Sequence, residues 1–449
     1  MKNIESFSDI IDYMSRFINL EKNLNHANTR NYRLDRMQSL LKHFNHPERD
    51  FKSIHVAGSK GKGSTSKFIA MGLKSQGFKV GLYASPHLLN YRERFTLCGE
   101  FFDDKFLVKI GTYMIEKLDS FTFCDEWGET NPTTFELFTL YGFLLFSFYK
   151  CDWAVIETGL GGRLDATNTI LPEASVICPI ELEHTKILGS TIKAIAMEKS
   201  KIIKAGVPSF IATMREEAKQ VMINEAKSQN SLLQAVESNL LYINSHTTNE
   251  GEKVHYIWKD GRDETLILNL RGKVMANNCA LALLTLRSLG FKDERIVGAV
   301  QATTLEGRFQ TIARNPAVII DGAHTPVSIA SVIDTVDQLF EKDKITILFG
   351  LVEDKDHQHI IKELLKNFNK FIISKPGTFK KSNPTMIYNT FIDEKTDAQE
   401  IFLIEDAELA LEKAYSITDK DGAIICCGSF YLASVVAEAI NKRERKQCL

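Results

Sequence analysis

Short apolar runs rich in Val, Ile and Phe alternate along the chain with longer stretches whose apolar positions recur at helical spacing. The short runs predict strands at Phe51–Ala57, Lys79–Ala84, Asp152–Thr158, Ala174–Ile180 and Pro208–Ala212, then at Ala317–Asp321, Ile345–Gly350, Lys370–Ser374 and Ala423–Cys427. Many are almost continuously hydrophobic, as expected of strands covered on both faces. Between them, Ser64–Gln76, Thr133–Tyr149, Thr191–Lys204 and Val327–Phe340 read as amphipathic or core helices. This alternation argues βαβ units around a mostly parallel sheet, an α/β fold.

The series breaks between Ser228 and Arg271, where polar residues surround short strand-like pieces at Leu241–Ile243, Val254–Trp258 and Thr265–Leu270. A small antiparallel hairpin region is expected there, followed by helices at Met275–Leu289 and Asp293–Val300. A second α/β series opens near Phe309. The expected division is therefore 1–302 and 303–449, with the boundary in Gln301–Gly307. No repeat or low-complexity tract interrupts either part.

Composition narrows the class. With 449 residues, 44% apolar and 25% charged, the chain can bury sizeable cores without disulfide staples. Lys+Arg number 55 and Asp+Glu 57, a net charge of −2, so bulk charge gives no broad basic face for nucleic acid. The eight cysteines, Cys448 among them, are scattered without a CxxC pair and read as free thiols of a reducing compartment. The N-terminal MKNIESFSDIIDYMSRF lacks the order of a secretory signal, and Phe135–Tyr149 is too short to span a bilayer. A cytoplasmic protein with no membrane partner is expected.

The sharpest local signal is Ile54-His55-Val56-Ala57-Gly58-Ser59-Lys60-Gly61-Lys62-Gly63-Ser64-Thr65. An apolar strand enters a glycine-rich turn that opens a helix. Successive N–H groups can converge there on one anion, the helix N-terminus adds partial positive charge, and Lys62 adds a full one. Ser64 or Thr65 can offer a hydroxyl to phosphate or metal. The spacing is G-x-x-G-K-G-S, one glycine away from the strict GxxxxGK[ST] pattern. The competing reading is a glycine turn with no ligand.

A second dense segment runs from Asp152 to Asn168 and contains Glu157-Thr158-Gly159-Leu160-Gly161-Gly162-Arg163-Leu164-Asp165-Ala166-Thr167-Asn168. Glu157 closes an apolar strand, and ligands of parallel sheets bind beyond the carboxyl ends of strands. A carboxylate there suits Mg²⁺, which prefers oxygen and bridges to phosphates; a surface carboxylate is the bland alternative. The next strand leads to Glu181-Leu182-Glu183-His184, placing His184 on the same edge. Lys199, in Ile195-Ala196-Met197-Glu198-Lys199-Ser200-Lys201, reads by itself as a solvated helix residue.

Together these segments resemble the folylpolyglutamate synthase/dihydrofolate synthase family of Mur-type ATP-dependent ligases, over nearly the whole length. The resemblance also includes Ala84-Ser85-Pro86-His87-Leu88, Glu93-Arg94-Phe95, Pro132-Thr133-Thr134-Phe135-Glu136, Leu305-Glu306-Gly307-Arg308, Asp321-Gly322-Ala323-His324-Thr325-Pro326, Asp354-Lys355-Asp356 and Gly428-Ser429-Phe430-Tyr431-Leu432. It implies an N-terminal P-loop ATPase-like domain, a smaller Rossmann-like C-terminal glutamate-ligase domain, and an active site in the cleft between them. Gly58, Ser59, Lys60, Gly61, Lys62, Gly63, Ser64 and Thr65 would hold ATP phosphates, and Asn278, Arg308 and Asp321 would contact ATP. Ser64, Ser85, Glu157, His184 and a carbamylated Lys199 would serve two Mg²⁺ ions, with room for a monovalent cation. Pro86, His87, Thr133, Phe135, Asp165 and Ala166 would face the pterin side, and His324 and Ser429 the incoming glutamate. The implied partners are folate or dihydropteroate, L-glutamate and ATP, and the implied state is a monomer.

The implied chemistry is attack of a carboxylate on the γ-phosphate, then capture of the acyl phosphate by the glutamate amine. Lys62 and Arg308 relieve anionic repulsion, and Lys62, Lys199, His184 and Arg308 form the catalytic set. The chain departs from the family pattern at Lys60, Glu183, Ser200-Lys201, Val274-Met275, Thr134 and Thr325. Those near Val274 and Thr325 motivate an alternative, a divergent ligase joining another acid to an amino acid. A P-loop kinase or nucleotide switch, and a binding protein without catalysis, are the alternatives from other classes.

Overall fold

The computed structural model describes residues 4–18, 33–88, 90–124, 127, 131–353, 356–377 and 381–447. Asp354, Lys355 and Cys448 lie outside them. Two compact units divide the chain: 1–242 with 256–263 and 277–300, and 243–255 with 264–276 and 301–449.

The first unit is built on eight strands: β1 (Lys52–Ala57), β2 (Val80–Tyr83), β3 (Phe95–Leu97), β4 (Glu100–Phe101), β5 (Trp153–Glu157), β6 (Ala174–Ile177), β7 (Ser209–Ile211) and β8 (Leu233–Ala235). Their order is β4-β3-β2-β5-β1-β6-β7-β8. From β2 to β8 every pairing is parallel, while β3 and β4 add an antiparallel edge. β1 lies centrally, with Val56 in register with Glu157 on one side and Val176 on the other. The sequence therefore sends three chain segments off the same sheet edge side by side.

The helix Thr134–Phe148 is apolar around most of its circumference because it is buried on most sides, with Leu137, Leu140, Tyr141, Phe143 and Leu145 fully enclosed. It packs with the helices Phe7–Met14, Leu34–His43 and Asp104–Leu118 in one core. A second core, formed by Ile177, Ile195, Ile203 and Met222 among others, covers the other side of the strands. The tract expected as helix Thr191–Lys204 is helical only over Ile192–Ser200. Ile202 and Ile203 keep the apolar pattern running because they are buried in that core, not because the helix continues.

Three strands, β9 (Leu240–Thr247), β10 (Glu252–Trp258) and β11 (Asp263–Leu268), form the separate small sheet where the α/β series breaks. The second unit's main sheet contains β12 (Gln310–Ala313), β13 (Ala317–Ile320), β14 (Ile345–Phe349), β15 (Lys370–Ile373), β16 (Glu400–Leu403) and β17 (Ala423–Cys427), in the order β12-β13-β17-β14-β15-β16. All pairings are parallel except that of β12. The α/β class expected from the sequence is thus present in both units. β12 and β16 were not legible because their residues are only half-buried, which removes the apolar run that marks the central strands.

One buried ion pair anchors the helical layer of the first unit. Arg36 grips Glu136 with two hydrogen bonds of 3.0 and 3.2 Å, lies flat over the Phe123 ring at 3.9 Å, and donates to the Asn131 carbonyl. Glu136 in turn closes a capping box with Thr133. Arg36→Met should leave the Glu136 carboxylate buried and unpaired, at a cost of about 3–5 kcal/mol in a denaturant melt. A loss below about 1 kcal/mol would show that the pair contributes little.

Candidate functional site

The loop Gly58–Gly61 leaves the carboxyl end of β1 and opens the helix Lys62–Ser75. Gly58 has φ +149°, and a Cβ there would fall 2.5 Å from the Cys178 Cβ. Gly61 caps the helix at φ +80°, where a Cβ would strike the Asn278 side chain. Neither position accepts a side chain without displacing the loop. The N–H groups of the helix's first turn precede its hydrogen-bond ladder and are aimed off this edge.

Two lysines converge on one acceptor. The Gly58 carbonyl takes a hydrogen bond from Lys62 Nζ at 3.1 Å and from Lys199 Nζ at 2.8 Å. Lys199 is 1% exposed and pairs with Glu183 at 2.8 Å. Burial, reinforced by Lys62, pushes the Lys199 ammonium down to about 8 against the pull of Glu183. Burial alone would raise the Glu183 carboxyl, but Lys199, Lys62 and His184 together hold it below its usual range. The solvated-helix reading of Lys199 is therefore wrong: the helix Ile192–Ser200 buries it under the phosphate loop.

The hydroxyls separate. Ser64 Oγ accepts from Asn278 Nδ2 at 2.8 Å and donates to the Gly61 carbonyl. Thr65 is fully buried and its hydroxyl accepts from the Cys178 thiol, so it faces the interior. Burial pushes the Cys178 thiol up to about 12, which makes it inert. Ser59 donates its hydroxyl to the Glu181 carbonyl, and the Ser59 and Lys60 N–H groups reach the Pro179 carbonyl. These bonds stitch the phosphate loop to the segment after β6.

Glu157 is 3% exposed at the end of β5, its Oε2 3.6 Å from where a Cβ on Gly63 would stand. Ser85 follows β2, the neighbour of β5. His184 does not end a strand: β6 stops at Ile177, and His184 sits beyond it in left-handed backbone, capping the short helix Thr185–Leu188. Among the described residues no three His, Cys, Asp or Glu side chains form a metal-holding group.

The pterin-side candidates are tied into local structure. Thr133 caps its helix through the Glu136 N–H, and Phe135 edges onto Tyr83. His87 stacks on Tyr91, its ring centroid 4.1 Å away, and accepts from Arg94 Nε at Nδ1. Pro86 follows Ser85 through a cis peptide bond. Asp165, buried, accepts from the Leu160 and Thr167 N–H groups and from the Thr167 hydroxyl at 2.5 Å, with Ala166 opening the short turn beside it. The Thr167 hydroxyl has one proton, given to Asp165, so it must accept from His55 Nε2 at 2.9 Å. His55 is therefore the neutral Nε2–H tautomer, and its buried Nδ1 has no partner. Sequence reading passed over His55 and Thr167; a histidine inside an otherwise apolar strand was the available signal. The same loop docks on the Lys199 helix, with the Arg163 N–H donating to the Glu198 carbonyl at 2.8 Å.

In the second unit, Asp321 follows β13 and accepts from the Phe309 and Ala323 N–H groups at 2.8 and 2.7 Å. Burial raises its carboxyl, opposed by Arg308. The Arg308 guanidinium lies over the Phe430 ring at 4.5 Å. His324 Nδ1 bonds the Gly322 carbonyl, and Ser429, buried after β17, accepts from the Tyr431 N–H. Arg308, Asp321, His324 and Ser429 thus share one strand edge.

Known proteins match the chain over most of its length. The Mur ligase middle domain matches residues 56–286, and the Mur ligase glutamate ligase domain matches residues 307–430. The dihydrofolate synthase/folylpolyglutamate synthase of Bacillus subtilis is 33% identical, over 74% of this chain and 78% of its own length. The folylpolyglutamate synthase of Lacticaseibacillus casei is 30% identical over 97% of this chain and 99% of its own. Folylpolyglutamate synthase from Thermotoga maritima superposes with TM-score 0.83 at 27% identity, covering 97% of each chain. A complex of FPGS with AMPPCP and folate superposes with TM-score 0.80 at 26% identity, over 97% of this chain and 100% of the other.

Burial holds His55 neutral, pushing its pKa from 6.5 to about 3. The unfolded state then binds the extra proton, so stability should fall as pH drops from about 6.5 toward 3. Denaturant melts of His55→Asn should show a shallower loss over that window; an unchanged slope would mean that other groups carry it. Thr167→Val should cost about 1–3 kcal/mol by orphaning the buried His55 donor, whereas Thr167→Ser should nearly preserve stability.

Proposed function

Because this chain belongs to the folylpolyglutamate synthase/dihydrofolate synthase family of Mur ligases, we propose that it adds L-glutamate to a folate or dihydropteroate carboxylate at the expense of ATP. The observation that carries this reading is the glycine loop at the head of a helix, with the Lys62 ammonium on the Gly58 carbonyl. A carboxylate oxygen of the acid attacks the γ-phosphorus, ADP leaves, and an acyl phosphate forms. The glutamate amine then attacks the acyl carbon, the C–O bond breaks, phosphate departs and the nitrogen sheds its proton. Both reacting partners of the first step are anions, so charge neutralisation and positioning supply most of the rate, and no nucleophilic side chain is required.

Each residue has a role in that scheme. Lys62 swings from the Gly58 carbonyl to the phosphates, and the helix N–H groups hold them. Asn278 fixes the Ser64 hydroxyl. Arg308, flat on Phe430 and beside Asp321, is the cation assigned to the nucleotide by the second unit. His324 and Ser429 are assigned to the incoming glutamate.

The donor set suits Mg²⁺: the buried Glu157 carboxylate ends β5, the Ser85 hydroxyl follows the neighbouring β2, the Ser64 hydroxyl lies in the first turn of the helix after β1, and His184 caps the short helix beyond β6; together they would hold the ion. When bound, Mg²⁺ neutralises phosphate charge and polarises the P–O bonds. Unmodified Lys199 is a cation and does not fit beside a metal. Burial lowers its pKa to about 8, which raises the share of neutral amine; that amine would take up CO₂ and release a proton to become an oxygen-bearing carbamate.

The test is ADP release from the purified chain with dihydropteroate and reduced folates, each against a panel of amino acids, with mass detection of the amide. Release should require both an acid and glutamate; ADP formed with either alone would favour a kinase or switch. Lys62→Ala should lower kcat by about 10²–10³-fold, and turnover at the parent rate would overturn the phosphate-loop role.

A further inference from the structure

The turn after β5 holds a glycine for a reason of space. Gly159 is not in the left-handed region, so its backbone would accept a side chain. Phe135 takes the room. A Cβ on Gly159 would stand 2.7 Å from Phe135 Cε2 and closer still to Cζ, whereas ordinary contact begins at 3.4 Å. The Phe135 ring is half-buried and edges onto Tyr83, the centroids 6.4 Å apart and the planes at 67°. The backbone that carries it is fixed. The Thr133 N–H donates to Glu136 Oε2 at 2.7 Å, and Arg36 grips that carboxylate. The Thr134 N–H donates to the Ile18 carbonyl at 3.0 Å, and the Thr134 hydroxyl lies 3.0 and 3.1 Å from the Phe17 and Met14 carbonyls. The turn is fixed as well. Asp165 accepts from the Leu160 N–H at 2.8 Å and from the Gly159 N–H, and the Thr158 N–H donates to the Val56 carbonyl at 2.9 Å. Two anchored backbones thus meet at one ring, and that ring lies against a turn only two residues beyond Glu157.

We infer that Gly159 is a specificity-determining residue of the acid site: by seating the Phe135 ring, it sets where the flat heteroaromatic end of the acid stacks. The inference rests on the ligase reading above, which supplies an acid with such an end. An aromatic face that is half open is the complement of a flat ring. Gly159 acts through Phe135 and is therefore a positioning residue. A methyl group at 159 would drive the ring outward by about 0.7 Å or more, the difference between 2.7 and 3.4 Å. A misplacement of about 1 Å far from the reacting atoms is enough to cost about 10²-fold. The far end of a side chain yields more readily than either backbone, so the ring moves and the fold stays.

Calorimetric titration of tetrahydrofolate and of dihydropteroate into the full-length protein loaded with AMPPCP tests this without turnover. G159A should bind the acid about tenfold more weakly or worse, while its affinity for AMPPCP and its melting temperature stay at the parent values. F135L removes the ring and weakens acid binding by itself. G159A/F135L should then bind within about twofold of F135L, because the two substitutions act on one contact and do not add. Parent affinity for the acid in G159A would overturn the inference. So would a tenfold loss repeated in the F135L background, an equal loss of AMPPCP, or a G159A chain that does not fold, since the glycine would then serve packing and not the position of the ring. If wild type binds neither acid, the ligase reading falls and this inference with it; if wild type binds and G159A matches it, only this inference falls.

Discussion

The Gly58 carbonyl oxygen receives two ammonium groups, and much of the first unit is arranged so that it can. Two lysines on one neutral acceptor, one of them almost wholly buried, repel each other in a medium of low polarity. Glu183 offsets part of that charge from below. Lys62 and the N–H groups of the helix's first turn leave the glycine loop positive, and an anion is the natural complement. The loop is thus electrostatically prepared for phosphate before any nucleotide arrives.

The sheet holds this arrangement rigid. β1 carries the loop between β5 and β6, so Glu157 and the 178–184 segment reach the same edge from either side. Cys178 fills the space a Gly58 side chain would need, and its thiol occupies Thr65. Lys199 is located in turn by the Asp165 loop, which docks on Glu198 and is secured through Thr167 and His55. The Asp165 loop and the Lys199 helix therefore share one hydrogen-bonded framework beside the glycine loop.

Much of this was legible in the chain. The central strands announced themselves as continuous apolar runs because both faces are covered, and the phosphate loop by its glycines, lysine and hydroxyl in order. Edge strands such as β12 and β16 were silent, since half-exposed positions dilute the pattern. The depth of Lys199 was invisible because a lysine on a short helix looks the same whether it faces water or the interior; only tertiary packing decides. Thr65 looked equivalent to Ser64, yet helical geometry sets the Ser64 hydroxyl between Asn278 and the Gly61 carbonyl and the Thr65 hydroxyl against Cys178. His55 was hidden by its neighbours, an uninterrupted strand in which its one polar partner, Thr167, lies 112 positions away.

The central claim is that a carboxylate of the substrate takes the γ-phosphoryl group before the amine arrives. Oxygen bookkeeping tests it most directly. With both oxygens of the acceptor carboxylate labelled as ¹⁸O, the acyl-phosphate route passes one of them to phosphorus. Mass spectrometry of the inorganic phosphate should find one ¹⁸O atom for each amide formed. Phosphate released without label, while the amide is produced at the same rate, would contradict the mechanism.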